Sequence, residues 1–347
     1  MFKNSQGYTI VYFNTDAFQT LAMVVAEFTS DLELHGMLNF SPPGPSGKGY
    51  FSPYSITKDF NNNYYVLGET YDNVVGSSIL SLIKFDSTWD VQWGLKFEES
   101  SEYLTSQLTV LGDNILFLVH DAFSNVDIFL NVSPNGVLNS AYVVDGVTLA
   151  FGSPLILKTY GDNIIYIVGR ALVNRVSNVL VAKVNSKLGI QWAKLYSIYG
   201  EVFDLEVVGD RDYIVGYESE ESAFIAEVDG ASGNLVFYKV FYGENHYSYR
   251  SLDLVVNDNS LYVYGEELNS TGLDGTNDWD SFTAKFSLSG DLEKYVVVSR
   301  SIIETLGYDM LGGLGQNEVL LVDSGRYVLA SLTYNTEDYI TYRSPHP

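Results

Sequence analysis

Cysteine is absent from all 347 residues, which excludes disulfide staples and cysteine-ligated zinc and leaves the redox compartment open. Basic residues are scarce: 19 Lys and Arg face 43 Asp and Glu, for a net charge of -24. Such a chain repels phosphate backbones and anionic headgroups, so neither nucleic acid nor direct membrane insertion is expected. Apolar runs never exceed strand length, and no stretch holds a helical period. The opening "MFKNSQGYTIVYF" has one lysine and no small-residue cleavage site, so it does not read as a signal peptide. Charged residues make up only 18%, below the roughly 25% usual for soluble domains. Their place is taken by 27 tyrosines and many Ser, Asn and Gly, a neutral polar surface suited to an exported or acid-exposed protein.

Hydrophobic residues reach 46%, enough for a large core. The length exceeds one ordinary domain, which leaves two domains or one fold that grows by repetition. Repetition is visible. The phrase "GDNIIYIVGR" (161–170) returns as "NNNYYVLGE" (61–69), "GDNILFLVH" (112–120), "GDRDYIVGY" (209–217) and "NDNSLYVYGE" (257–266). Aligned on the residue that closes the apolar run, seven copies end at Phe13, Gly68, His120, Gly169, Gly216, Gly265 and Asp323. A second column runs through Ala26, Ile83, Leu130, Ala182, Ala226, Ala284 and Ala330.

Each copy reads as four short strands, with β-branched and aromatic runs bounded by Gly, Asn, Asp and Ser. In the fourth copy these are "PLILKTY", "IIYIVG", "NVLVAKV" and "IQWAKLYS". Asn and Gly recur in the first turn because tight hairpins need positive φ. Seven antiparallel four-stranded units of about 50 residues predict an all-β, seven-bladed β-propeller spanning 1–347 as a single domain. A β-solenoid or two β-sandwiches fit less well, since solenoid coils are shorter and sandwiches lack a sevenfold repeat. Strand-two residues Ile165, Tyr213 and Tyr262 are expected at equivalent places.

The first copy begins at its second strand, "GYTIVYF". Three arrangements accommodate this: a missing inner strand, a stub formed by residues 1–6, or closure by the C-terminal segment. Closure, with 1–13 and 338–343 in the same or adjacent blades, is favoured because it hides an unpaired edge.

"NDWDSFTAKFSLSGDLEKY" (277–295) and "NVLVAKVNSKLGIQWAKLY" (178–196) resemble the short β-propeller repeats of bacterial and archaeal surface and secreted proteins. Those blades carry an Asp-x-Phe strand, an Ala-Lys strand end and a Ser-Gly hairpin. The resemblance covers almost the whole chain and implies fold far more than activity. Copies three and seven depart from it, with "FLNVSPNG" and "LASLTYNTED".

In this topology the loops between strands two and three emerge with the interblade loops on one face, the default binding surface. The loops there are rich in aromatics and acids, and Tyr50, Phe51, Tyr247, Tyr249 and Trp279 are the candidate binding residues. The opposite face carries short hairpins built for turning. Asp274, Asn277, Asp278 and Asp280 lie within seven residues and offer hard oxygen ligands for calcium, though not at EF-hand spacing. The alternative is a solvated Asx-rich loop holding its own turns. No other cofactor is implied.

The histidines, His35, His120, His246 and His346, stand in different copies, so a metal triad would need three to converge. Trp93 and Trp192 share one column on strand four, which points to packing between blades. Asn39, Asn131 and Asn269 head glycosylation sequons, and Asn269, in a long loop, is the candidate. These features favour a non-enzymatic module on an extracellular, cell or virion surface, binding a protein or glycan through the loop face. The alternatives are a propeller hydrolase or lyase acting on sugars or lactones with acids in its channel, and a structural subunit of a filament or virion.

Overall fold

The computed structural model describes residues 2–3, 7–15, 21–29, 33–40, 49–72, 77–97, 103–105, 108–121, 126–144, 156–173, 176–187, 189–218, 222–242, 249–257, 259–269, 278–298, 318–323 and 326–331. Among them there is no helix. The first sheet runs β1 (Phe2–Lys3), β2 (Gly7–Thr15), β3 (Leu21–Thr29), β4 (Leu34–Phe40), and the second β5 (Gly49–Lys58), β6 (Tyr64–Asp72), β7 (Ser77–Phe85), β8 (Val91–Phe97). In the third, β9 (Tyr103–Thr105) and β10 (Thr109–Leu111) both pair with β11 (Asn114–Asp121), followed by β12 (Val126–Val132) and β13 (Leu138–Val144). They act as one interrupted inner strand. The fourth sheet is β14 (Ile156–Tyr160), β15 (Ile164–Val173), β16 (Val176–Asn185), β17 (Ile190–Tyr196). The fifth is β18 (Gly200–Val208), β19 (Arg211–Glu218), β20 (Ser222–Asp229), β21 (Leu235–Phe241). The sixth is β22 (Tyr249–Asn257), β23 (Ser260–Asn269), β24 (Asp278–Ser287), β25 (Leu292–Val298). The seventh copy contributes the hairpin β26 (Glu318–Asp323) and β27 (Arg326–Ser331).

Among the described residues, apart from β9 and β10 sharing one edge of β11, strands neighbour one another in chain order, so the fold is all-β, of the β-propeller class, with four-stranded antiparallel meanders as blades. The first blade keeps a stub of its inner strand, Phe2 and Lys3 pairing with Thr9 and Tyr8. Residues 338–343, on which the closure expectation rests, lie outside the described residues. The chain divides into two compact units, Met1–Tyr166 with Val184–Gly189, and Ile167–Lys183 with Ile190–Pro347.

The recurring phrase now has a physical account. Its first element supplies the left-handed residue of the turn between strands one and two: Asn62, Gly112, Gly161, Gly209 and Asn259 all have φ near +60°. Its closing glycine faces a bulge in strand one. Gly216 pairs with Val202 where the register slips, and a Cβ there would collide with the Glu201 carbonyl and the Phe224 ring. Gly68 and Gly265 stand opposite the bulges at Pro53 and Ser251. The apolar run between is unbroken because strand two is buried on both faces. Tyr64 and Val66 pack with Met23 and Phe51 of neighbouring strands, while Tyr65 and Leu67 pack with Ile115 and Phe117 of the third sheet.

The pairing register corrects the first alignment column. Ala26, Leu130 and Ala330 pair with Ile10, Phe117 and Val319, as Ala226 and Ala284 pair with Ile214 and Val263. The equivalents of Gly216 and Gly265 are therefore Tyr12, Val119 and Leu321, not Phe13, His120 and Asp323. Ile165 is likewise one residue out, because the place of Tyr213 and Tyr262, three before the closing glycine, belongs to Tyr166. A slip of one residue moves a side chain to the other face of the sheet.

Candidate functional site

The two ends of each blade are built differently. At the hairpin end, the turn between strands three and four opens on a residue whose side chain caps the turn: Ser133 Oγ accepts from Val137 N at 3.1 Å, Asn185 Oδ1 from Gly189 N at 2.9 Å, and Asp86 Oδ1 from Asp90 N at 3.0 Å. In two such turns, opened by Ser133 and Asp229, the next backbone carbonyl receives donors from the preceding blade. Lys84 Nζ and Trp93 Nε1 both donate to Pro134 O, at 3.2 and 2.8 Å, and Lys183 Nζ and Trp192 Nε1 both donate to Gly230 O, at 2.7 and 3.1 Å. The rings lie on glycines of the same turns, Trp93 on Gly136 and Trp192 on Gly233, and Phe237 does the same on Gly290. In the second blade the pair is exchanged: Trp89 takes the left-handed turn position at φ 67°, stacks on Tyr64 at 4.0 Å, and serves a first blade whose strand-four residue is Gly36. The packing role expected of Trp93 and Trp192 is thus observed, and Phe237 and Trp89 extend it.

Between the third-blade strands and the first turn of the fourth sheet lies a cleft of about 230 Å³, lined by Leu111, Leu116, Phe129, Asn114, Asn131, Asp162, Asn163 and Ser186. Asn139 Nδ2 donates to Asn114 Oδ1 at 3.0 Å and to Asn131 Oδ1 at 3.3 Å, and Ser186 Oγ to Asn163 Oδ1 at 3.2 Å. The hint in the sequence was the third copy's departure from the Ala-Lys pattern.

At the loop end, carboxylates are held by neighbours. Tyr238 OH donates to Glu218 at 2.7 Å and Tyr295 OH to Glu267 at 2.6 Å, equivalent pairs in the fifth and sixth blades. Arg170 binds Glu201 at 3.1 Å and Ser177 at 2.8 Å, and Tyr54 donates to Glu69. Burial and then the Glu218 hydrogen bond push the Tyr238 hydroxyl well above the ordinary tyrosine range, so it stays a donor.

The strands run further toward this end than their apolar runs suggest, because cross-strand hydrogen bonds continue through polar residues. Tyr50 and Phe51 belong to β5 rather than to a loop, and Phe51 is fully buried in the core, which removes it as a contact residue. Tyr50 pairs with Tyr71. Tyr249 opens β22 opposite Glu267, and Glu267 also faces Asp280; Trp279 pairs with Leu268 and Asp278 with Asn269. Trp279, Asp278, Asp280 and Asn269 are therefore strand residues, gathered with Tyr249 at one end of one sheet. Tyr247, Asp274, Asn277, His246 and His346 lie outside the described residues. His35 is exposed on β4, and His120 pairs with Asp127 and Leu104. Among the described residues no three His, Asp or Glu cluster to hold a metal, and no helix is long and apolar enough to cross a membrane.

No family model and no curated protein matches the chain. Among solved structures, it is similar to the β-propeller domain of the trilobed protease from Pyrococcus furiosus, at 8% identity and TM-score 0.48 over 82% of this chain and 78% of that one. Synechocystis apocarotenoid oxygenase matches at 10% identity and TM-score 0.47, over 80% and 68%. A GH43 β1,3-galactosidase matches at 12% and 0.43, over 85% and 73%. Identities this low carry no activity across.

Proposed function

We propose that this chain is a non-enzymatic interaction module, displayed on a cell or virion surface, that binds a protein or a glycan through the loop end of its blades. The observation that carries the reading is the register of the sixth sheet, which gathers Tyr249, Trp279, Asp278, Asp280 and Asn269 at one end of three adjacent strands, while the turn at the other end packs on Phe237 of the fifth blade. A rigid scaffold with aromatic and acidic residues at one rim suits recognition, since aromatic rings bring large contact area with little rotamer entropy to lose. The surface location rests on the resemblance to surface and secreted propeller repeats.

A glycan array and a pull-down identify the partner, and calorimetry then compares the parent with Trp279→Ala and Tyr247→Ala. Each variant is expected to change stability by no more than about 0.5 kcal/mol and to weaken binding by about 1–2 kcal/mol. A large loss of stability with unchanged binding would overturn the reading. A second reading, a subunit of a filament or virion, is favoured by the outermost strands, which expose Leu34, Met37 and Leu38 on β4, Ile190 and Leu195 on β17, and Leu235 and Val236 on β21. Concentration-dependent assembly in sedimentation would support it.

A further inference from the structure

The second, fourth and fifth blades carry a ring on strand four at the hairpin end, whereas the first and sixth place Gly36 and Lys294 there and the third places Ser140. In the second blade a row across the sheet reads Tyr65, Lys84, Trp93; in the fifth it reads Tyr213, Glu227, Phe237. The same row in the third blade reads Leu116, Asn131, Ser140. No aromatic ring and no long cationic arm is supplied from this row, and it is here that the cleft of about 230 Å³ opens. Leu111, Leu116 and Phe129, all buried, lie at its base, and most of its accessible lining is polar, from Asn114, Asn131, Asp162, Asn163 and Ser186.

The acceptor that belongs to the pattern is still in place. Pro134 follows the turn-opening Ser133 and Gly230 follows Asp229; Ser186 follows Asn185 in the same way. Pro134 and Gly230 each accept an indole N–H and a lysine ammonium through their carbonyls. Among the described residues, no side chain donates to the Ser186 carbonyl. The cleft thus combines the volume left by a missing ring with a backbone acceptor whose equivalents elsewhere in this chain are met by an indole N–H. A buried N–H needs such a partner, so the hydrogen bond would make the pairing selective.

We propose that this cleft binds an indole ring from another molecule, its flat face on Leu116 and Phe129 and its N–H donating to the Ser186 carbonyl. The ring stands where a strand-four tryptophan stands in the second and fourth blades. The site is independent of the loop-end reading and lies at the other end of the blades.

The test uses the full chain and two probes, indole and N-acetyl-tryptophanamide, titrated by calorimetry and by amide NMR shifts. Saturable binding is expected, with shifts at Asn131, Ser186 and Gly112. Ser140→Trp supplies the ring from within, and should abolish binding and raise the melting temperature. Asn131→Lys supplies the competing donor and should weaken binding at least tenfold; it stands in should Ser140→Trp fail to fold. Equal or tighter binding of the capped amino acid identifies a tryptophan side chain of a partner as the source, and binding of indole alone identifies a free small aromatic. Absence of saturable binding by both probes, or binding unchanged in the variants, overturns the proposal.

Discussion

Gly233→Ala measures how tightly the blade-to-blade seam is closed. The residue sits at φ +69°, and an added Cβ would lie 2.6 Å from Trp192 Cε3 and 2.8 Å from Cδ2. Neither side can yield easily. The indole is tied to Gly230 O at 3.1 Å and is 8% exposed, and the turn is tied through Gly233 O to Tyr196 OH at 2.7 Å. The left-handed conformation alone costs an alanine about 1–2 kcal/mol. Overpacking against a fixed ring adds about 1–3 kcal/mol, so the whole effect is about 2–5 kcal/mol. Gly209→Ala is the control: φ is +62° and nothing lies within 4 Å of the new Cβ, so only the conformational part, about 1–2 kcal/mol, applies. Urea unfolding of the two variants gives the difference directly. In a Trp192→Ala background the overpacking should vanish, leaving a coupling of about 1–3 kcal/mol between the two sites. Equal losses for Gly233→Ala and Gly209→Ala, or additive losses in the double variant, would refute the reasoning.

The inner strands carry a second latch: Leu254 N donates to Asp204 Oδ2 at 3.0 Å and Leu108 N to Ser55 Oγ at 2.7 Å, both from the following blade. Asp204→Ala should cost about 1–3 kcal/mol in urea unfolding and Asp204→Asn, which keeps an acceptor, clearly less. Glu227 titrates above the ordinary glutamate range because burial outweighs the attraction of Arg211 at 3.5 Å. A raised folded-state value means the folded protein takes the proton first. Its contribution is therefore gained as pH falls through that value and lost as pH rises, and Glu227→Gln should flatten the stability profile just above the ordinary glutamate range. Hydrogen bonds from Thr88 and Asp90 hold the Asp86 carboxyl below its usual range, as those from Ser232 do for Asp229. Their contributions run the other way, present at neutral pH and lost only as acid reaches those lowered values. A melting curve series from pH 3 to 8 on the parent and Glu227→Gln separates the two signs.

Strand order within a blade and the repeating unit were legible in the chain because each is a local matter. A doubly buried strand must be apolar at every position, and a tight turn must carry a residue that accepts positive φ. Those two demands alone produce "GDN" followed by "IIYIVG". Register was not legible in copies one, three and seven. There the closing glycine is missing, and the end of the apolar run does not mark the residue facing the bulge, so Phe13, His120 and Asp323 stood in for Tyr12, Val119 and Leu321. The loop limits failed for a related reason: pairing through Asn269 and Asp278 is set by cross-strand hydrogen bonds, which leave no apolar signature. Phe51 looked like a loop aromatic because glycine and proline surround it, yet pairing of β5 to β6 puts it in the core. What only the tertiary structure decided is which residues of one blade meet the next. Trp93 and Gly136 are far apart in sequence, and so are the third-blade residues Leu116 and Asn131 and the fourth-blade turn residues Asp162 and Ser186 that line one cleft.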